Sequence, residues 1–336
     1  MTADPTKLKT IKELNRDDIL FDMARVPGTE RIFFGSSDFK VYSIDLAAEK
    51  PEAKPLAEEG HGSYVTGVAL PAGGLVTGSY DCRLIWWNTE TGETIRTVEA
   101  HEKWIRRVVA SPDGRYVASV ADDMLCKLWD AETGELVRTV ADHAATTPHH
   151  YPSMLFAVAF SGDGTMMATA DKVGHVALWN VETGEQLAEL DAPVMYTWDP
   201  KQRRHSIGGI RSLAFSPDGT LLAAGGIGEI GNIDHLGGPA RVEVFDWSKG
   251  ERLLELEDDK LKGLVEQIAF HESGEWFLTA GGDHNGFLTF YETKTGKLLH
   301  QDKAPMHIHA LAVGESFERL YGVGHGRIVV WELKTD

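Results

Sequence analysis

The chain has 336 residues, of which 42% are apolar and 25% charged. This composition is typical of soluble globular proteins and excludes disordered, collagen-like and coiled-coil chains. No apolar run reaches the roughly 18–20 residues of a membrane helix, and the N-terminal residues lack the apolar segment of a signal peptide. With 33 basic and 51 acidic residues the formal charge is −18, which disfavours general binding to nucleic acid.

Two cysteines, Cys82 and Cys126, are too few for a disulfide framework and lack the CxxC spacing of a metal or redox pair. Reduced thiols are the usual state in the cytoplasm. We therefore expect two free thiols in a cytoplasmic protein, with a bridge between them as the alternative.

A module of four short strands is clearest in residues 101–140. The turn 111–114 reads Ser-Pro-Asp-Gly, in which proline presets φ and glycine supplies a positive φ. The strand-like segments 104–109, 116–120, 127–130 and 136–140 are rich in Val, Leu, Trp and Tyr, which pack well in sheets.

The module recurs along the chain, and an aromatic residue ends its third strand each time. These residues are Tyr42, Trp87, Trp129, Trp179, Phe245, Tyr291 and Trp331. Their successive spacings are 45, 42, 50, 66, 46 and 40 residues, close to the roughly 40–45 residues of one propeller blade. A period of this length predicts a repeat protein made of small antiparallel sheets.

With Leu128-Trp129-Asp130 in one repeat and Trp87-Asn88, Trp179-Asn180 and Trp331-Glu332 in others, the sequence resembles the WD40 repeat family. The resemblance implies an all-β, seven-bladed β-propeller of four-stranded antiparallel blades within a single domain, 1–336. The expected blades span residues 19–58, 61–98, 101–140, 153–190, 208–256, 263–300 and 306–333.

The last expected blade ends at its third strand. Residues 7–14 resemble the outer strands 94–98 and 136–140, so we expect this N-terminal strand to pair in the last blade and close the ring. The alternative is a frayed basic tail.

The family's His–Ser/Thr–Asp–Trp tetrad fits two repeats, and the other repeats lack one or more members. The two sets are His61, Thr77, Asp81 and Trp87, and His101, Ser119, Asp123 and Trp129. The resemblance implies that these residues are hydrogen bonded inside a blade. We expect no catalytic residues, because GxSxG, P-loop and HExxH motifs do not occur.

Three long insertions fall in segments 142–152, 192–209 and 226–240. In this module the second turns and the inter-blade connections share one side of the propeller, called the top face, and all three insertions map there. Long loops are often functional, although neutral surface decoration is the alternative.

The top face also gathers basic and aromatic residues against the negative overall charge. We therefore predict a partner-binding surface for a protein or peptide with an acidic epitope. Its predicted members are Trp104, Arg106, Arg211, Glu266, His309, Trp198, Arg203 and Arg204. The chain would be a non-enzymatic scaffold, a monomer by itself and part of a complex, with no cofactor, nucleic acid or membrane.

An alternative function is a small-molecule- or metal-binding propeller with a histidine-lined site on the top face, with or without catalysis. His307 and His309 are weak candidate ligands, because residues i and i+2 of a strand point to the same side and imidazole binds several transition metals. Asp22, Glu266 or His325 would supply the third ligand. A third interpretation is a structural subunit that self-associates through its blade edges.

Overall fold

The computed structural model describes residues 3–72, 74–201 and 204–335. The described residues contain 28 β-strands and one 3₁₀ turn, Pro193–Met195. Among them, no helix has the length and apolarity needed to cross a membrane. The fold class is all-β, a β-propeller of antiparallel sheets, as the sequence predicts.

The strands follow one another along the whole chain. The first twelve are β1 Ala3–Arg25, β2 Arg31–Ser36, β3 Val41–Asp45, β4 Lys54–Pro55, β5 Val65–Ala69, β6 Leu75–Ser79, β7 Arg83–Trp87, β8 Thr94–Glu99, β9 Ile105–Ala110, β10 Tyr116–Ala121, β11 Cys126–Asp130 and β12 Leu136–Val140. The next eight are β13 Leu155–Phe160, β14 Met166–Asp171, β15 His175–Asn180, β16 Gln186–Asp191, β17 Tyr196–Asp199, β18 His205–Gly208, β19 Ser212–Phe215 and β20 Leu221–Ile227. The last eight are β21 Pro239–Asp246, β22 Glu251–Lys262, β23 Leu264–Phe270, β24 Trp276–Gly282, β25 Gly286–Glu292, β26 Leu298–Ala304, β27 Ile308–Val313 and β28 Arg319–Thr335.

The chain divides into two compact units. The first comprises residues 1–119, 127–138 and 308–336, and the second comprises residues 120–126 and 139–307. Each has its own apolar core. In the first unit, fully buried residues such as Phe33, Phe34 and Trp87 pack between sheets, and in the second Leu222 and Phe277 do so.

Hydrogen bonding arranges the strands into five four-stranded sheets, one six-stranded sheet and the β17–β18 hairpin. The four-stranded sheets are β5–β8, β9–β12, β13–β16, β19–β22 and β23–β26. Six blade-like sheets therefore stand where seven blades were expected. The sixth has the order β27-β28-β1-β2-β3-β4.

The difference in count comes from β1. Its first part pairs antiparallel with β28, from Leu8 opposite Leu333 to Asn15 opposite Arg327, and its last part pairs with β2. Strand β28 also reverses its direction within its length: residues 320–324 pair with β27, and residues 325–335 pair with β1. The Leu333 N–H therefore reaches the carbonyl of Glu318, the residue before β28, at 2.9 Å. Because β1 is continuous, it joins two sets of strands into one sheet.

The first turns of the repeats have a common chemistry. Ser111 Oγ donates to Asp113 at 2.6 Å and accepts the Tyr116 N–H at 2.9 Å, while Gly114 adopts φ +72°. The turns 161–164 and 216–219 repeat these bonds. A side-chain hydroxyl thus satisfies backbone donors that the tight turn leaves unpaired.

Candidate functional site

In the first unit, one predicted tetrad is built around the hydroxyl of Thr77. His61 Nε2 lies 2.8 Å from Thr77 Oγ1, and Trp87 Nε1 donates to the same oxygen at 2.8 Å. His61 Nδ1 lies 3.1 Å from Asp81 Oδ2. Burial opposes the ionisation of Asp81, but hydrogen bonds from His61 and Arg83 outweigh it and hold the pKa of this carboxyl far below its usual range.

The second predicted set is divided between the units. In the first unit, His101 Nε2 lies 2.7 Å from Ser119 Oγ, which also accepts the Trp129 indole N–H at 2.9 Å. In the second unit, Asp123 accepts the backbone N–H of Leu125 at 3.1 Å. The hydroxyl again joins imidazole and indole.

A further complete tetrad lies in the second unit, so the expectation that the other repeats lack members is wrong. His143 Nδ1 lies 3.1 Å from Asp171 Oδ2, and its Nε2 lies 2.8 Å from Thr169 Oγ1. Trp179 Nε1 donates to that hydroxyl at 3.0 Å. Sequence reasoning missed this set because Asp171 precedes Trp179 by eight residues, whereas Asp81 precedes Trp87 by six. The aligned hydroxyl, ten residues before the tryptophan in all three sets, was the usable signal.

The first unit also carries an aromatic row, defined as Phe21, Phe39, Tyr64, Tyr80 and Trp104. Neighbouring ring centroids lie 5.4 Å apart for Phe21–Tyr64, 5.7 Å for Phe39–Tyr64 and 5.8 Å for Tyr64–Tyr80. Tyr80 and Trp104 are stacked at 4.6 Å. The exposed fractions of Phe39, Tyr64 and Trp104 are 42%, 41% and 50%, so the row presents a continuous aromatic surface to solvent.

Strand ends position this row. Tyr64 and Trp104 precede the inner strands β5 and β9, while Tyr80 and Phe39 lie in the turns after β6 and β2. Phe39 adopts φ +74°, a left-handed conformation that is costly for a residue with a side chain. The sequence pointed to Trp104 as a site residue, but it did not point to Tyr80 or Phe39, because their placement depends on the turn conformation.

Arg106 completes the surface. Its guanidinium lies 4.9 Å from the ring centroid of Tyr80 and 5.4 Å from that of Trp104, and Nη1 donates to the Tyr80 hydroxyl at 2.5 Å. Cation–π contacts and this hydrogen bond fix the cation on the aromatic row. The first unit therefore offers aromatic faces beside a positive charge.

Asp22, which follows Phe21 in β1, is buried. Its oxygens accept the N–H groups of Met23 and Val68 at 2.9 and 2.8 Å, and Arg107 Nη1 lies 3.5 Å away. Burial raises the pKa of Asp22 to about 6, and the Arg107 charge and the backbone donors oppose the shift.

In the second unit, the three insertions meet. Segment 192–209 forms the hairpin β17–β18, with Trp198 opposite Ser206. The ring of His149, from the first insertion, stacks on Trp198 at 3.5 Å between centroids. The third insertion contributes the Ile230 N–H, which donates to Thr197 Oγ1 at 3.1 Å. Trp198 remains 40% exposed.

The remaining predicted contacts of the second unit differ in exposure. Arg204 is exposed in the hairpin turn, and Arg203 lies outside the described residues. Arg211 is half-buried, its guanidinium 3.4 Å from the Phe156 ring centroid and its Nη2 donating to the Gly208 carbonyl at 3.3 Å. Arg211 therefore also supports local packing.

The candidate metal ligands are placed as follows. His307 Nε2, in the second unit, lies 3.5 Å from Glu266 Oε1, and both side chains are largely buried. His309, in the first unit, has its ring 4.8 Å from that of His325 and 5.6 Å from that of Phe21. Metal binding by His307 or His309 stays a prediction.

Comparison with known proteins places these features in a family. The family model described as "WD domain, G-beta repeat" (WD40) matches residues 53–88, 92–130 and 199–228. Nuclear distribution protein PAC1 of Arthroderma otae is 30% identical over 237 residues, which cover 64% of this chain and 48% of PAC1.

Two other relatives are longer still. Telomerase protein component 1 of Mus musculus is 26% identical over 258 residues, 76% of this chain and 8% of that protein. Apoptotic protease-activating factor 1 of Homo sapiens is 28% identical over 152 residues, 45% of this chain and 11% of that protein. The chain thus spans about half or less of the length of these relatives. The repeat matches, the tetrads and the antiparallel blades agree with one another: the chain contains WD40 repeats and folds as a β-propeller.

Proposed function

We propose that this chain is a non-enzymatic interaction scaffold that binds a protein or peptide partner through the aromatic row and Arg106. The observation that carries the proposal is the contiguity of three aromatic side chains that are 41–50% exposed. Contiguous exposed apolar groups mark interaction sites, whereas scattered ones do not. Tyrosine, tryptophan and arginine also dominate binding energies at interfaces.

The partner's epitope would be acidic. Arg106 lies on the row in a chain of net charge −18, so its positive charge is local. A carboxylate of the partner could form a charge-assisted hydrogen bond with the guanidinium, while its apolar side chains cover the aromatic faces. Long polyanions such as nucleic acid would be repelled by the net negative charge of the chain.

The names of the relatives support a binding role. One is a component of telomerase, and another is a factor that activates a protease. The histidine–hydroxyl–carboxylate sets also favour binding over catalysis, because their hydroxyls are fully buried between imidazole and indole.

The second unit would contribute its own contacts. Trp198 and Arg204 both lie on the hairpin segment and are exposed, so they offer an aromatic and a cationic contact there. Arg203, Arg211, Glu266 and His309 stay in the proposal as secondary contacts.

We further infer that the six-stranded sheet is two blades sharing β1. Residues 8–15 of β1 would be the outer strand of the last blade, and residues 20–25 the inner strand of the first. The chain would then be a single seven-bladed domain closed by its N-terminal strand, cytoplasmic, and a monomer until its partner binds.

A quantitative pull-down from a cell extract tests the scaffold function. Proteins recovered by the wild-type chain should be lost with the double variant Trp104→Ala/Arg106→Ala. The control is Ile95→Ala on the outer strand β8, where the isoleucine is 55% exposed. Equal recovery by all three proteins would refute binding through the aromatic row.

A further inference from the structure

A cluster of metal-ligating side chains lies in the second unit. Asp142 follows β12, His175 begins β15, and Glu189 lies near the end of β16. One ligand atom from each residue lies within 4.8 Å of the others, and His175 Nε2 lies 2.9 Å from Asp142 Oδ2.

Strand register places these groups together. His175 is opposite Asp191, and Ala177 is opposite Glu189. Because side chains alternate across a strand, those of Glu189 and Asp191 project on the same side of the sheet as that of His175. The positions are therefore set by the β15–β16 ladder and not by a flexible loop alone.

The second nitrogen of His175 has its own partner. Asp191 Oδ1 lies 3.2 Å from Nδ1. In the metal-free chain the contact of Nε2 with Asp142 at 2.9 Å is a donated N–H; a metal ion would displace this proton and bind the Nε2 lone pair, while Asp191 keeps the Nδ1 proton in place. This is the carboxylate–histidine arrangement that orients imidazole ligands in metal sites.

The two carboxylates already share one donor. The amide nitrogen of Gln186 lies 2.9 Å from Asp142 Oδ2 and 3.0 Å from Glu189 Oε1. A neutral amide bridges these oxygens without neutralising their charges. A divalent cation in its place would neutralise both and would also take up the His175 lone pair.

We propose that Asp142, His175 and Glu189 bind a divalent transition-metal ion of the Zn²⁺ class, with Asp191 as a positioning residue and solvent completing the coordination. One imidazole and two carboxylates suit Zn²⁺, whose bonds to N and O are about 2.0–2.2 Å. Tetrahedral bonds of that length need donor atoms roughly 3.4 Å apart, which rotation of the exposed Glu189 side chain can provide. None of these four residues belongs to the proposed partner surface.

Equilibrium dialysis of the full chain against Zn²⁺, with total metal counted, tests the site. The wild-type chain should bind one equivalent more than His175→Ala and Glu189→Gln. The matched control is His284→Ala, which removes another surface histidine that contacts an aspartate, Asp283, at 2.9 Å. The control should keep the wild-type stoichiometry.

A Co²⁺ titration followed by visible absorption supplies a second measurement. Asp191→Asn should keep the absorbing site but weaken binding by roughly 10–100-fold, as expected for a carboxylate that orients a ligand. A melting curve of each metal-free variant shows whether that variant is folded. If His175→Ala is unfolded, Glu189→Gln, which changes an exposed side chain, replaces it in the comparison. Equal stoichiometry in wild type, His175→Ala and Glu189→Gln would overturn the proposal.

Discussion

The hydroxyl of Thr169 connects two other side chains of its repeat, since it contacts His143 Nε2 and accepts the Trp179 indole N–H. Valine has nearly the same shape but can neither donate nor accept. Thr169→Val should therefore lower the free energy of unfolding by about 1–3 kcal/mol, because two buried polar groups lose their partner. Denaturant titration measures this, with the exposed Thr183→Val as control, expected to stay within about 0.5 kcal/mol. Equal effects would contradict a supporting role for this tetrad.

Asp22 makes stability depend on pH. Because burial raises its pKa to about 6, above the roughly 3.9 of an unfolded chain, the folded state keeps a proton that the unfolded state has released. The stability from this group is complete below about pH 4 and is lost as the pH rises through about 6.

The stability difference between wild type and Asp22→Asn measures this effect. Between pH 5 and 7.5 the wild type should lose about 1.4 kcal/mol relative to the variant. Denaturant titrations at both pH values test this. The control is Asp163→Asn, since hydrogen bonds from Ser161 and Thr165 lower the pKa of that exposed carboxyl. A pH-independent difference for Asp22→Asn would show that this residue does not titrate in this range.

At the scale of elements, β1 is the outer partner of β28 through residues Leu8 to Asn15. Removing residues 1–15 would expose that edge and remove its ladder, so the melting temperature should fall by more than about 5 °C, since several backbone hydrogen bonds are lost. Removing residues 1–7 is the control, because the ladder from Leu8 onward remains. Identical melting of the two truncated proteins would contradict the role of this strand.

The same elements show what the sequence can predict. The strand at 7–14 was predictable because its pattern repeats in other outer strands. Its continuity with the next strand was missed, although residues 16–18 carry no glycine or proline that would signal a break. The hairpin β17–β18 lies in an insertion without a counterpart in other repeats. Of the aromatic row, Trp104 could be predicted from its position before a strand, whereas Phe39 depends on a left-handed turn residue.

At the scale of the molecule, the charge of −18 and the local position of Arg106 predict selectivity among anions. A short acidic peptide with an aromatic residue would contact the cation and the row, and a longer polyanion would also be repelled by the net negative charge of the chain.

Fluorescence anisotropy compares three labelled probes on the full chain, namely such a peptide, its lysine counterpart and a DNA duplex. The acidic peptide should bind tightest, and Arg106→Glu should weaken it at least about tenfold, or roughly 1.4 kcal/mol, with unchanged melting. Arg115→Glu, which reverses an exposed arginine beside a first turn of the same unit, should leave the affinity within about twofold, because any change in net charge is identical in the two variants. Equal weakening by both substitutions would mean that the overall charge, and not the aromatic row with its arginine, selects the ligand.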